Sequence, residues 1–173
     1  MKDRIQDREQ RDWRRNMIGK STLLRYQRIK SMLKRESFLR IPGWIVKRLV
    51  RLRGGVERLE VVRGRRSRCR REDRKCLVCK SGEVEDEDHF IDGCPALDEE
   101  RMAMWRSIFD ILRCPYKIRE LREMTEEERV DWVLGTEFES GHWKWPALQR
   151  GVVKGLRTLW QARGRTGVVD AAR

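Results

Sequence analysis

Four possible metal ligands lie close together near the middle of the chain, at Cys76, Cys79, His89 and Cys94. Their spacing is C-x2-C-x9-H-x4-C. The first two cysteines can turn both sulfurs toward one ion from a tight turn, and the histidine and last cysteine complete a tetrahedron. The Ser81-Gly82 pair that follows Cys79 favours the turn that brings the chain back. The array therefore predicts one bound zinc ion, Zn2+.

Three thiolates and one imidazole would occupy all four positions of a tetrahedral zinc and leave none for a reacting water. Such a site is structural and not catalytic. Two alternatives remain open: metal-free side chains, since free cysteines are often buried small hydrophobic groups, or another metal. Zinc is favoured because this short window holds four of the seven Cys and His residues in the chain.

Composition predicts an intracellular protein, either nuclear or cytoplasmic. The odd cysteine count of five does not fit a disulfide framework, and the first residues lead into charge instead of a secretory apolar segment. No run approaches the roughly 18 apolar residues of a membrane span, so no membrane partner is expected. With 40% charged and 39% hydrophobic residues, the core is small, and a metal would contribute much of the folding energy.

Positive charge is concentrated before the metal array. Residues 1–75 carry 26 Lys/Arg and 9 Asp/Glu, a net charge of +17, whereas the formal net charge of the whole chain is +13. The densest part is residues 63–75, called here the Arg-rich strip, with Arg63, Arg65, Arg66, Arg68, Arg70, Arg71, Arg74 and Lys75. Such a strip predicts contact with RNA or DNA phosphates. A solvated basic loop and a nuclear import signal are the alternatives. No aromatic residue is interleaved, so sequence-specific recognition is not indicated.

The pattern of apolar residues predicts a mostly α fold, a small helical domain organised around one structural CCHC zinc knuckle. We expect a flexible basic arm or frayed helix over 1–19, a helical lead-in over 20–62, and the Arg-rich strip over 63–75. The zinc-binding loop follows over 76–94, a helical region over 95–163, and a loose tail over 164–173.

Several helix boundaries can be proposed. Ser21 can cap a helix to about Arg35, and Pro42 can begin one that Gly54-Gly55 ends. Residues 56–62 are short and mixed, and an extended segment is proposed there. Pro95 fits the first position of a helix that carries Trp105. Further helices are expected after the Thr125–Glu128 capping box and after Pro146, whose apolar face comprises Leu148, Val152, Leu156, Leu159 and Trp160.

The metal array and its flanks resemble the zinc-binding segment at the C-terminal end of non-LTR (LINE-type) retrotransposon reverse-transcriptase polyproteins. The resemblance covers about residues 20–113. It is carried by the segments Arg51–Val56, Leu59–Val61, Gly64-Arg65, Arg74–Cys76, Cys79, Gly82–Phe90 and Cys94-Pro95, and by Arg101, with Tyr26, Lys30 and Leu39 in the helical lead-in. It implies a fragment that grips template RNA or target DNA beside a reverse-transcriptase body, which is a possible partner.

No enzyme activity is expected, because the chain shows no polymerase, endonuclease or ribonuclease H motif. In that family an acidic run, here Glu83, Glu85, Asp86, Glu87 and Asp88, is part of the metal loop, and adjacent loop carboxylates are usually solvated. The alternative function is a zinc-stabilised helical scaffold domain whose Trp105 and Trp132 faces dock onto the absent polymerase body. Cys69, Cys114 and His142 lie outside the pattern, and no role is assigned to them or to residues 114–173.

Overall fold

The structure, a computed structural model, describes residues 2–30, 33, 37–41, 43–135 and 145–166. Within these ranges the chain is mostly α-helical and contains no β-strand, which confirms the predicted fold class. The helices are α1 Lys2–Met17, α2 Leu24–Ile29, α3 Trp44–Arg53, α4 Glu60–Arg66, α5 Asp98–Leu112, α6 Pro115–Glu123, α7 Glu126–Leu134 and α8 Trp145–Arg165. Short 3-10 turns at Ser21–Leu23, Ser37–Arg40, Arg71–Asp73 and Pro95–Leu97 lie between or before them.

The antiparallel pair α5 and α8 forms the centre of the core. Met104 of α5 fits against Gly155 of α8, and Ile111 fits against Gly151, so the two helices approach closely where α8 has no side chain. The predicted apolar face of α8 is buried, with Leu148, Val152, Leu156, Leu159 and Trp160 all in the core. Burial of this face accounts for the long helix, because helices gain most of their stability from packing.

Two predicted helix starts are confirmed. Thr125 and Glu128 form the expected capping box, in which the Glu128 N–H donates to Thr125 Oγ1 (3.3 Å) and the Thr125 N–H donates to Glu128 Oε2 (2.8 Å). Pro95 begins a 3-10 turn that leads directly into α5. The glycine stop of α3 is also confirmed, since Gly55 adopts φ +60° and lies against the Thr22 carbonyl, where a Cβ would clash.

Two expectations at the start of the domain were wrong. The helix proposed from Ser21 is shorter, because α2 ends at Ile29 and Lys30 is extended. Residues 56–62 were expected to be extended, but α4 begins at Glu60. Hydrogen bonds from the metal loop, described below, explain the difference. Pro42, Met32 and the segment 34–36 lie outside the described residues, as does the tail after Thr166. Residues 2–17 of the basic arm form α1, and Gly164 and Arg165 still belong to α8.

Candidate metal centre

A tight hairpin turn positions the first two ligands. Lys75 and Val84 pair as an antiparallel bridge, and the Cys76 N–H donates to the Glu83 carbonyl at 2.8 Å. Lys80 and Gly82 have positive φ angles of 55° and 87°, which reverse the chain between the two sides of the bridge. Cys76 and Cys79 therefore lie at one end of a closed loop, as expected for a metal-binding knuckle.

A π-turn positions the other two ligands. Residues His89–Gly93 form one turn of π-helix, and the Cys94 N–H donates to the His89 carbonyl at 2.6 Å, the i to i+5 bond of that structure. The four intervening residues of the sequence motif thus become a single wide turn. This turn brings His89 and Cys94, both buried, to the same side of the chain.

The four predicted ligands converge on one point. Their ligand atoms, the three Sγ atoms and one imidazole nitrogen, all lie within 4.8 Å of one another. Cys76 Sγ and Cys94 Sγ are 4.0 Å apart, and Cys79 Sγ and His89 Nε2 are 3.3 Å apart. Around a tetrahedral zinc with bonds of about 2.3 Å to sulfur and 2.0 Å to nitrogen, these separations would be roughly 3.8 and 3.5 Å. One metal ion can therefore contact all four residues.

The ligands also perturb each other's protonation. The thiol hydrogen bond between Cys94 and Cys76 lowers the pKa of Cys76 and raises the pKa of Cys94. The N–H groups of Cys79 and Val78 further lower the pKa of Cys76. Hydrogen bonding to Cys76 raises the pKa of His89 to about 9. A thiolate at Cys76 is thus suited to bind a cation, and a metal bound by all four residues would displace the protons of His89 and Cys94.

Four of the five acidic residues in this run, Glu85 to Asp88, are buried or half-buried, which corrects the expectation of solvated carboxylates, whereas Glu83 is exposed as expected. Glu85 is buried, and Arg163 of α8 binds it with two hydrogen bonds, Nε to Oε1 at 2.7 Å and Nη2 to Oε2 at 3.0 Å. Glu85 also accepts the N–H of Glu60 at its Oε2 (2.9 Å) and that of Val61 at its carbonyl (3.0 Å). These bonds satisfy the first N–H groups of α4 and explain why a helix begins there.

Two further carboxylates of the same loop bind arginines from other parts of the chain. Arg71 Nη2 donates to Asp86 Oδ2 at 2.6 Å. Arg25 of α2 donates to both oxygens of Asp88 at 2.6 Å and also pairs with Asp131 of α7. Glu85, Asp86 and Asp88 therefore connect the metal loop to α8, to the Arg-rich strip and to α2. Through Arg25, the connection extends to α7.

The π-turn has its own contacts to the helices that follow. Asp92 accepts hydrogen bonds from Trp105 Nε1 (3.1 Å) and Arg129 Nε (2.6 Å). Trp105 packs against Trp132, with ring centroids 6.0 Å apart, and Trp132 is buried. The aromatic residues proposed as a docking face are thus in contact with each other inside the domain.

The Arg-rich strip divides into two groups. Four arginines have partners in the domain: Arg63 pairs with Glu60, Arg70 with Glu72 and Asp73, and Arg71 with Asp86, while Arg74 donates to the carbonyls of Cys69 and Val61. The side chains of the remaining four are exposed and have no hydrogen bond or ion pair to the described part of the chain. These are Arg65, Arg66, Arg68 and Lys75, called here the free strip cations.

The other residues singled out from the sequence do not join the metal centre. Cys69 and Cys114 are half-buried free thiols outside the four-residue cluster. His142 lies outside the described residues. The arginines that bind the loop carboxylates could not be predicted from the sequence. Arg163 and Arg25 are 78 and 63 residues from their partners, and no local pattern indicates pairs so far apart.

No helix in the described part of the chain is long and apolar enough to cross a membrane. No known protein family, no curated protein and no solved structure matches this chain.

Proposed function

We propose that this protein is a zinc-binding module that grips the phosphate backbone of RNA or DNA without sequence specificity. We further propose that it derives from the zinc-binding C-terminal region of a LINE-type retrotransposon polyprotein. In this function the zinc is structural, and the free strip cations make the phosphate contacts. No catalytic role is proposed for the chain.

The ligand chemistry supports zinc as the metal. Three sulfurs and one imidazole form a soft to borderline set of four, which suits zinc, whereas magnesium and calcium prefer oxygen ligands. All four protein positions are filled, as in structural sites. A bound zinc would hold the hairpin turn at Cys76 to the π-turn at His89, and it would stabilise the loop to which α2, α7 and α8 are attached.

The free strip cations are the observation that carries the nucleic-acid proposal. Arg65 and Arg66 end α4, Arg68 follows at a positive φ of 57°, and Lys75 begins the metal hairpin. The paired arginines of the strip hold in place the backbone that carries these four side chains. Four exposed cations whose side chains have no partner in the described part of the chain repel one another, and a polyanion relieves that repulsion.

The proposed origin rests on the sequence resemblance over about residues 20–113. A reverse-transcriptase body is the corresponding partner, and gripping template RNA or target DNA is the corresponding task. The absence of catalysis is supported by the acidic run, in which Glu85, Asp86 and Asp88 are bound by arginines and thus engaged in holding the fold.

The test is a binding titration with labelled RNA and DNA over a series of salt concentrations, using the wild type and the variant R65Q/R66Q/R68Q. Loss of three phosphate contacts should weaken binding and lower the slope of log K against log salt by about 2 to 3. A matched control is R106Q/R113Q/R119Q, which removes the same charge from exposed positions of α5, its C-cap and α6.

The control variant should bind much more like the wild type than the strip variant does. Equal weakening by both variants would show that only net charge matters. Unchanged binding in R65Q/R66Q/R68Q would contradict the assignment of the strip.

A further inference from the structure

Helix α8 carries a second line of cations on its exposed side. Arg150, Lys154 and Arg157 are all exposed, and Gln161 continues the line, whereas the intervening residues Val152, Val153, Leu156 and Leu159 are buried. The spacing i, i+4, i+7, i+11 places these four side chains on one face of a helix. We call this face the α8 ridge.

Among the described residues, no acidic neighbour neutralises the cations of the α8 ridge. The 21 residues of α8 contain five Arg or Lys and no Asp or Glu. In the described part of the chain, no carboxylate forms an ion pair with Arg150, Lys154 or Arg157. This differs from most arginines around the metal loop, which have carboxylate partners. Opposite charges four residues apart stabilise a helix face, and α8 has no such pair.

The ridge is also held rigidly. Gly151 and Gly155 fit closely against α5, and Arg163 is fixed to Glu85 at the base of the metal loop. Arg48 of α3 lies over the Trp160 ring with its guanidinium carbon 4.0 Å from the ring centroid, which holds α8 from another side. A cationic face on a helix fixed at several points is presented in one orientation, which reduces the entropy cost of binding a ligand.

The dimensions of the ridge suit a nucleic-acid strand. Seven residues of α-helix separate Arg150 from Arg157, a length of about 10 Å. This length corresponds to about three base-pair steps along the axis of a duplex, where each strand carries one phosphate per roughly 3.4 Å of axis. The apolar side of α8 is buried in the core, so the helix does not have a free apolar face with which to enter a lipid surface.

We infer that the α8 ridge is a second binding surface for a nucleic-acid backbone, separate in sequence from the Arg-rich strip. This inference rests on the proposed nucleic-acid function and extends it, because binding then uses two cationic surfaces of one domain. The two surfaces are connected through the buried pair of Arg163 and Glu85. Arg163 lies six residues beyond Arg157, and the Glu85 N–H donates to the carbonyl of Arg74 in the strip.

The experiment measures RNA binding by the full chain over a series of salt concentrations with four variants. These are R150Q/K154Q/R157Q, the strip variant R65Q/R66Q/R68Q, the two combined, and the control R106Q/R113Q/R119Q. The ridge variant should lower the slope of log K against log salt by about 2 to 3, as the strip variant does, and the combined variant should lose the sum. Circular dichroism and zinc content should be unchanged in all four, because every substituted side chain is exposed.

The binding results of the variants test the ridge and the strip individually. Wild-type affinity and slope in the ridge variant would overturn this inference and leave the strip in place. Loss in the ridge variant with no loss in the strip variant would support the ridge and overturn the strip. No binding of RNA or DNA by the wild type would overturn both. If the triple ridge variant loses helicity, Lys154→Glu alone serves the same purpose, with weaker binding expected and unchanged binding contradicting the ridge.

Discussion

Arg163 and Glu85 are 78 residues apart in sequence, yet they form a buried ion pair with two hydrogen bonds of 2.7 and 3.0 Å. Both side chains are almost inaccessible to solvent. The pair connects α8 to the loop between the metal ligands Cys79 and His89, and the same carboxylate accepts the first N–H of α4. The metal loop is therefore a structural centre of the domain as well as a candidate metal site.

Removal of Arg163 should be strongly destabilising. Arg163→Met leaves the Glu85 carboxylate buried without its cation, and breaking one side of a buried pair costs about 3–5 kcal/mol. Urea denaturation should show that loss in the free energy of unfolding. Arg165→Met is the matched control, because Arg165 is exposed and its pair with Glu100 should contribute only about 0–1 kcal/mol. Similar losses in the two variants would contradict the importance of the buried pair.

The close contact between α5 and α8 predicts that replacing glycine by alanine has opposite effects on stability at two positions of α8. A Cβ at Gly155 would lie 2.7 Å from Met104 Cβ, so Gly155→Ala should destabilise by about 1–3 kcal/mol through overpacking. Gly164 in the same helix has open space around it, so Gly164→Ala should stabilise by up to about 1 kcal/mol through helix propensity. Thermal denaturation of both variants measures the difference. Stabilisation by Gly155→Ala would contradict the observed packing.

Metal affinity should depend steeply on pH. Because the pKa of His89 is raised to about 9 and that of Cys94 is raised as well, both carry protons at neutral pH in the metal-free protein. Zinc must displace these protons, so lower pH favours the protonated, metal-free form and higher pH favours the complex. These two protons, together with any that the Cys79 thiol must lose to bind as a thiolate, give a change of at least about 100-fold in affinity per pH unit. Competition with a chromophoric chelator at several pH values measures this slope, and a flat profile below pH 8 would contradict it.

Features encoded within short segments of the sequence could be predicted, and features that depend on distant residues could not. The four metal ligands and the Thr125 capping box lie within short segments, where spacing alone fixes which groups meet, and both could be predicted. The start of α4 could not, because its first N–H groups are satisfied by Glu85, 25 residues further along the chain. The division of the Arg-rich strip into paired and unpaired side chains could not be predicted either. Composition does not show that Arg71 binds Asp86 or that Arg74 binds backbone carbonyls.

We propose that Cys76, Cys79, His89 and Cys94 together hold one zinc on which the fold depends. The most direct measurement is the metal content of the purified protein by mass spectrometry, with helicity measured on the same samples. One zinc per chain is predicted for the wild type and for the control Cys69→Ser, whose half-buried thiol lies outside the cluster. Cys79→Ser should lose most of the zinc and unfold more easily. A wild type without bound metal, or a Cys79→Ser variant with full zinc content and full stability, would contradict the claim.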